Sequence, residues 1–97
     1  MIRDFADEGT EDIYYGRDTK LARSVLPRDL HRKARVKLTE IDYASVVEHL
    51  KVPPGNRLEA LKGDRAGQWS IRINDKYRIC FLWSENRAHY VQIVDYH

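Results

Sequence analysis

Residues Gln68 to Trp83, QWSIRINDKYRICFLW, decide the fold. Trp69, Ile71 and Ile73 alternate with Gln68, Ser70, Arg72 and Asn74, the period of a strand with one apolar and one polar side. The alternation resumes at Tyr77, with Tyr77, Ile79, Phe81 and Trp83 on one parity and Arg78, Cys80 and Leu82 on the other. Asn74-Asp75-Lys76 between them is turn-forming, so the two runs read as a hairpin. Loop length sets the register. A two-residue loop would place Ile71 beside Arg78, whereas a three-residue loop pairs Ile73 with Tyr77 and aligns both apolar sets on one face; the latter is expected.

After the turn Ser84-Glu85-Asn86-Arg87, the run Ala88 to Tyr96 carries Tyr90, Val91, Ile93 and Val94 on both parities, which predicts a central strand buried on both sides. Upstream of the hairpin, Pro53-Pro54-Gly55 breaks regular structure, and Asp42 to Lys51 predicts a helical turn or two. From Arg28 to Ile41, the residues Leu30, Ala34, Leu38 and Ile41 recur at i, i+4, i+8 and i+11, the stripe of an amphipathic helix. Its opposite face carries Arg28, Arg32, Arg35 and Thr39. A shorter helix is expected over Thr10 to Tyr15, with Thr10 as N-cap and Gly16 past its end, and a short strand over Ile2 to Phe5. Helices first and hairpins afterwards predict an α+β domain: two N-terminal helices packed on a twisted, mostly antiparallel sheet.

With 97 residues, 42% hydrophobic and 33% charged, the chain suffices for one domain, residues 1–97, and for no second core. No apolar run approaches the roughly 18 to 20 residues of a membrane span. The start Met1-Ile2-Arg3-Asp4 is unlike a signal peptide, so a cytoplasmic protein without membrane contact is expected. One cysteine, Cys80, excludes an internal disulfide, and the four histidines show no zinc spacing; neither metal nor other cofactor is expected. The net charge of +2 conceals an asymmetry: residues 4–16 are acidic without a single Lys or Arg, while residues 17–37 hold eight basic residues against Asp18 and Asp29. Such a segment attracts polyanions or is simply a solvated face, and the charge pattern leaves both open.

The helices cover the apolar sheet face, so the other face, with Ser70, Arg72, Arg78 and Cys80, becomes the candidate functional surface. Neighbouring arginines need a carboxylate or phosphate partner. Arg78 either binds a ligand or pairs structurally with Glu59 or Asp95. Trp69 and Trp83 belong in the core, and His31, His49 and His89 read as surface or satisfied residues. Cys80 lacks a histidine partner that would make it a nucleophile.

The stretch from Pro54 to Asn74, including Leu-Lys62-Gly-Asp-Arg65, together with Tyr77-Arg-Ile-Cys-Phe81 and the terminal Val94-Asp-Tyr-His97, resembles the HigB-type killer toxins of the RelE/ParE superfamily. The resemblance covers nearly the whole chain in length and element order, with its specific motifs in residues 54–83 and 93–97. It implies two helices on a twisted antiparallel sheet, an mRNA endonuclease acting at the ribosome, and neutralisation by a HigA-type helix-turn-helix antitoxin through which alone operator DNA is bound. It also implies site residues. Metal-free RNA cleavage needs a base for the 2′-OH proton, a cation for the phosphoryl charge, an acid for the leaving 5′-oxygen, and stacking to hold the nucleotide.

Arg78 matches the family's residue at the scissile phosphate and is permanently charged. Lys62 is a second phosphate cation and a weaker candidate acid. Asp95 and His97, two apart on an extended chain, point to one side and Tyr96 to the other, bringing a carboxylate and an imidazole together for proton transfer. Tyr96 stacks on a base or anchors the strand end. Glu59 stands where some relatives carry histidine; a carboxylate can serve as base but is a poor acid near neutrality, or it forms a salt bridge to Lys62 or Arg78. Arg65, Arg72, Arg28, Arg32 and Arg35 are candidate RNA contacts. The competing functions are a ParE-like gyrase inhibitor that cleaves nothing and a non-catalytic RNA-binding module, since a fold does not fix a target.

Overall fold

The computed structural model describes residues 1–96, so the expected role of His97 falls outside the described residues. Its hairpin is built as the alternation requires. Strand β2 (Gln68–Arg72) pairs antiparallel with β3 (Tyr77–Ser84), Ile71 opposite Ile79 and Trp69 opposite Phe81. The Ile73 N–H donates to the Tyr77 carbonyl at 2.9 Å, giving the three-residue loop. Asn74 Oδ1 accepts from the backbone N–H groups of Lys76 and Tyr77, the local bonding that favours asparagine in turns. Strand β4 (Arg87–Asp95) pairs antiparallel with β3, and a two-residue strand, β1 (Glu59–Ala60), with β2. The order is β1-β2-β3-β4.

Strand β4 is therefore not the central strand its apolar residues predict. Their double parity comes from a bulge: Cys80 faces Gln92 but Leu82 faces His89, so Tyr90 and Val91 together oppose Phe81. Tyr90 adopts φ 56° and stays exposed, and the extra residue returns Val91 and Ala88, of opposite parity, to the same core. The segment expected as a strand from Ile2 to Phe5 makes isolated parallel bridges to β4, Ile2 with Ala88 and Phe5 with Val91.

Three helices cover the apolar face. Helix α1 (Glu8–Tyr14) starts two residues before the expected point because Asp7, not Thr10, caps it, accepting the Thr10 N–H at 2.6 Å. Helix α2 (Lys20–Val25), capped by Thr19, is not anticipated by the sequence pattern; only Ala22 is buried within it, too little to show a period. Helix α3 (His31–Tyr43) follows a 3-10 turn at Arg28–Leu30 and precedes another at Val47–Lys51. Leu38 and Ile41 of α3, Ile13 of α1 and Leu26 meet Ile71, Ile79, Phe81 and Val91 of the sheet in one core, against which Trp69 and Trp83 pack.

Polar side chains tie the helices together. Asp12 accepts from the Thr19 hydroxyl at 2.7 Å and Arg17 Nη1 at 3.1 Å. Asp42 accepts from the Ile2 N–H at 2.7 Å and the Tyr14 hydroxyl at 2.9 Å. Helices α1 and α2 cross so closely that a Cβ on Gly9 would lie 2.6 Å from the Leu21 carbonyl oxygen. No helix among the described residues is long and apolar enough to cross a membrane.

Candidate active site

The sheet face turned away from the helices is not the open display that alternation alone suggests. Ser70 and Cys80 are fully buried and Arg78 is 9% exposed, because Arg57, Arg65 and Tyr96 close over them. Hydrogen bonding explains how a cation is tolerated there. Arg78 Nε donates to Ser70 Oγ at 2.8 Å, and Nη2 donates to the Arg57 carbonyl at 2.7 Å and to the Ser70 carbonyl at 3.4 Å. No salt bridge to Arg78 forms among the described residues, so the pairing with Glu59 or Asp95 that charge alone allows is absent. The Tyr96 ring lies beneath the guanidinium, 5.3 Å from Cζ to the ring centre.

Glu59 stands opposite Ser70 in the β1–β2 ladder, on the Arg78 side of the sheet. Its carboxylate accepts from the Tyr96 hydroxyl at 3.3 Å. Burial first, then the Glu59 carboxylate, pushes the Tyr96 phenol above its ordinary value. Arg65 Nη1 spans from Gln68 Oε1 at 3.0 Å to Gln92 Oε1 at 3.3 Å, crossing β3. Burial raises the Cys80 thiol against the pull of Arg65 and Arg78, which keeps it neutral and poorly nucleophilic. Arg78, Tyr96 and Glu59 of the sequence-derived set are thus brought together, with Arg65 on the same face.

The other described candidates lie apart. Asp95 pairs with Tyr77 across the ladder, on the core side of the sheet, and its carboxylate is 3.7 Å from Lys76 Nζ; Tyr96, not Asp95, turns toward Arg78. Arg72 faces Arg78 across the strands but bonds Asp75 at the hairpin turn. Lys62 is exposed on the loop after β1. The arginines of the helical segment belong to the other layer: Arg28 pairs with Asp18 at 3.1 Å, Arg35 Nε donates to the Ile13 carbonyl at 3.0 Å, and Arg32 alone of the three makes no hydrogen bond or ion pair among the described residues. Beside them runs a groove of about 520 Å³ lined by Arg32, Arg35, Val36, Thr39, Glu40 and Tyr43.

Alternation puts Ser70 on the face of Arg78 but names neither of the two groups that Arg78 bonds. Ser70 is diagonal to Arg78 once the three-residue loop is accepted, so its contact was available from the register. The Arg57 carbonyl was not, since it depends on a left-handed backbone at a residue that carries no sign of it.

The comparisons with known proteins agree with this architecture. A family model described as the RelE-like toxin of the type II toxin-antitoxin system HigB matches residues 3–97. Toxin HigB-1 of Vibrio cholerae is 36% identical over 88 residues, covering 91% of this chain and 90% of that protein. Endoribonuclease HigB of Proteus vulgaris is 30% identical over 97 residues, covering 100% of both. Among solved structures, a chain of the heterotetrameric YoeB-YefM toxin-antitoxin complex from Staphylococcus aureus superposes with a TM-score of 0.61 at 20% identity, covering 100% of this chain and 98% of that one, a likeness of fold. With nearly its whole length matched, the chain belongs to the HigB-like family of RelE-like toxins.

Proposed function

We propose that this chain is an endoribonuclease that cleaves mRNA on the ribosome and halts translation and growth, and that a HigA-type helix-turn-helix antitoxin neutralises it. The observation that carries the reading is the Arg78 guanidinium, a largely buried cation whose bonded acceptors are all uncharged, beside Tyr96 and Glu59. Burying a charge with no anion bonded to it is costly, and a phosphodiester would supply a bonded anion at this site. The name of the Proteus relative supports nuclease chemistry, and the toxin-antitoxin neighbours support a protein partner.

In this reading Glu59 takes the 2′-OH proton as the 2′-oxygen attacks phosphorus. Arg78 stabilises the charge that develops on the phosphoryl oxygens. His97 donates a proton to the departing 5′-oxygen, Lys62 and Arg65 contact flanking phosphates, and the exposed edge of Tyr96 stacks on a base. Asp95 acts away from the phosphate, holding the strand end through Lys76. The test is cleavage of mRNA by the purified chain with and without ribosomes. Arg78→Ala should reduce the rate about 100 to 1,000-fold, the usual cost of losing one preorganised donor. His97→Ala should also lose cleavage while its melting temperature barely changes. Growth arrest with intact mRNA and inhibited DNA supercoiling would transfer the reading to a gyrase inhibitor.

A further inference from the structure

The Arg78 guanidinium is held from one side. Of its five N–H groups, the one on Nε and the pair on Nη2 are directed at Ser70 Oγ, the Arg57 carbonyl and the Ser70 carbonyl, while Nη1 has no hydrogen bond among the described residues. No buried side-chain nitrogen or oxygen among those residues lacks a partner, so Nη1 must be accessible to solvent. All three acceptors are neutral. Arg72, next to it in the sheet, shows the contrary arrangement, with the Asp75 carboxylate bonded to its Nη2.

The Arg57 carbonyl owes its position to two features. Arg57 lies at φ 47° and ψ 55°, a left-handed conformation that side chains branched at Cβ strongly avoid. The residue before it, Asn56, is fully buried and clamped: Lys37 Nζ donates to its Oδ1 at 2.6 Å, and its Nδ2 donates to Glu40 Oε1 at 3.0 Å and the Leu50 carbonyl at 3.2 Å. A chain of bonds thus runs from α3 in the helix layer, round the sheet, to the guanidinium.

Resting on the reading of the Arg78 face of the sheet as a ribonuclease site, we propose that Ser70 and the Arg57 peptide are positioning groups for Arg78. They orient the guanidinium through uncharged acceptors, so that its Nη1 edge and its undiminished charge face a phosphodiester oxygen. Displacement of a charged group by an ångström is enough to cost about 100-fold in rate, which makes the cradle a determinant of turnover more than of RNA binding.

Steady-state cleavage of an mRNA oligonucleotide bound to purified ribosomes tests this. Ser70→Ala deletes the Nε acceptor without adding volume, and Arg57→Val keeps a carbonyl but disfavours the left-handed backbone. Each should lower kcat roughly 10 to 100-fold while KM stays within a factor of about two, and Ser70→Thr, which restores the hydroxyl, should recover most of the loss. In an Arg78→Ala background neither should have any further effect, because both act through that side chain. Thermal melts establish that the variants are folded; should Ser70→Ala fail to fold, Arg57→Val, at an exposed residue, carries the test. Single variants as fast as wild type, or losses that persist without Arg78, overturn the positioning role. A wild-type chain that leaves ribosome-bound mRNA intact overturns the nuclease reading, and the proposal with it.

Discussion

Arg78 differs from the ion-paired arginines of this chain in what it leaves unused. Arg17, Arg23, Arg28 and Arg72 each meet an aspartate, whereas Arg78 meets two carbonyls and a hydroxyl. Charge alone does not set its role, because the bonds demand a planar fork reaching in two directions. Arg78→Lys keeps the charge and should still lose most of the activity, since an ammonium cannot hold both Ser70 and the Arg57 carbonyl while presenting a donor to phosphate. The same variant should cost about 1 to 3 kcal/mol of stability for the acceptors left without a donor, measurable by urea denaturation. Activity and stability near wild type would show that charge by itself suffices. At this scale the sequence was informative about residue type and poor about partners. Arg78 could be named from alternation, and Tyr96, Glu59 and Asp95 from the resemblance, but not which strand parity faces Arg78: the structure sets Asp95 opposite Tyr77.

Among the elements, the crossing of α1 over α2 has the least room. Gly9→Ala would bring a methyl group against backbone at 2.6 Å as well as the Val25 side chain, so the helices must move apart. The expected loss is about 1 to 3 kcal/mol, the usual cost of overpacking, despite alanine's better helix propensity; a melting temperature at or above wild type would contradict this. The same pair of helices gives the fold an acid-sensitive joint. The hydrogen bond from Thr19, seconded by Arg17, holds the Asp12 carboxyl below its ordinary value in spite of burial. A depressed folded pKa contributes stability that is full above the unfolded carboxylate value and disappears as pH falls through the folded one. Asp12→Asn should therefore lower the melting temperature at neutral pH and flatten its decline below about pH 4, which thermal melts across an acid series would register; parallel curves would remove Asp12 from the account. Legibility follows the same line. Long periodic elements, β2, β3 and α3, were readable, whereas α2 and β1 were too short to carry a period. The bulge at Tyr90 imitated double-sided burial because one inserted residue exchanges the two parities.

The molecule as a whole has two faces separated by the sheet. The helices with Arg28, Arg32 and Arg35 occupy one, and Arg78 with Tyr96 and Glu59 the other. Charge reversal at Arg32, the arginine of that face with no bonded partner among the described residues, should weaken ribosome binding in a salt-dependent way while leaving the rate constant of bound complexes unchanged. Binding that is indifferent to this change across a salt series would assign the face to solvent or to a protein contact. The borders of the sheet bear on how such a chain persists in solution. On one side β1 is only two residues long; on the other, Met1, Arg3, Asp4 and Ala6 already exchange backbone hydrogen bonds with Ala88 and Val91, and the Tyr90 bulge bends what remains. An incoming strand from a second molecule finds neither a straight rail of unpaired amides nor a register to copy. Templated polymerisation is thereby frustrated at both ends of the ladder, without help from any bound protein.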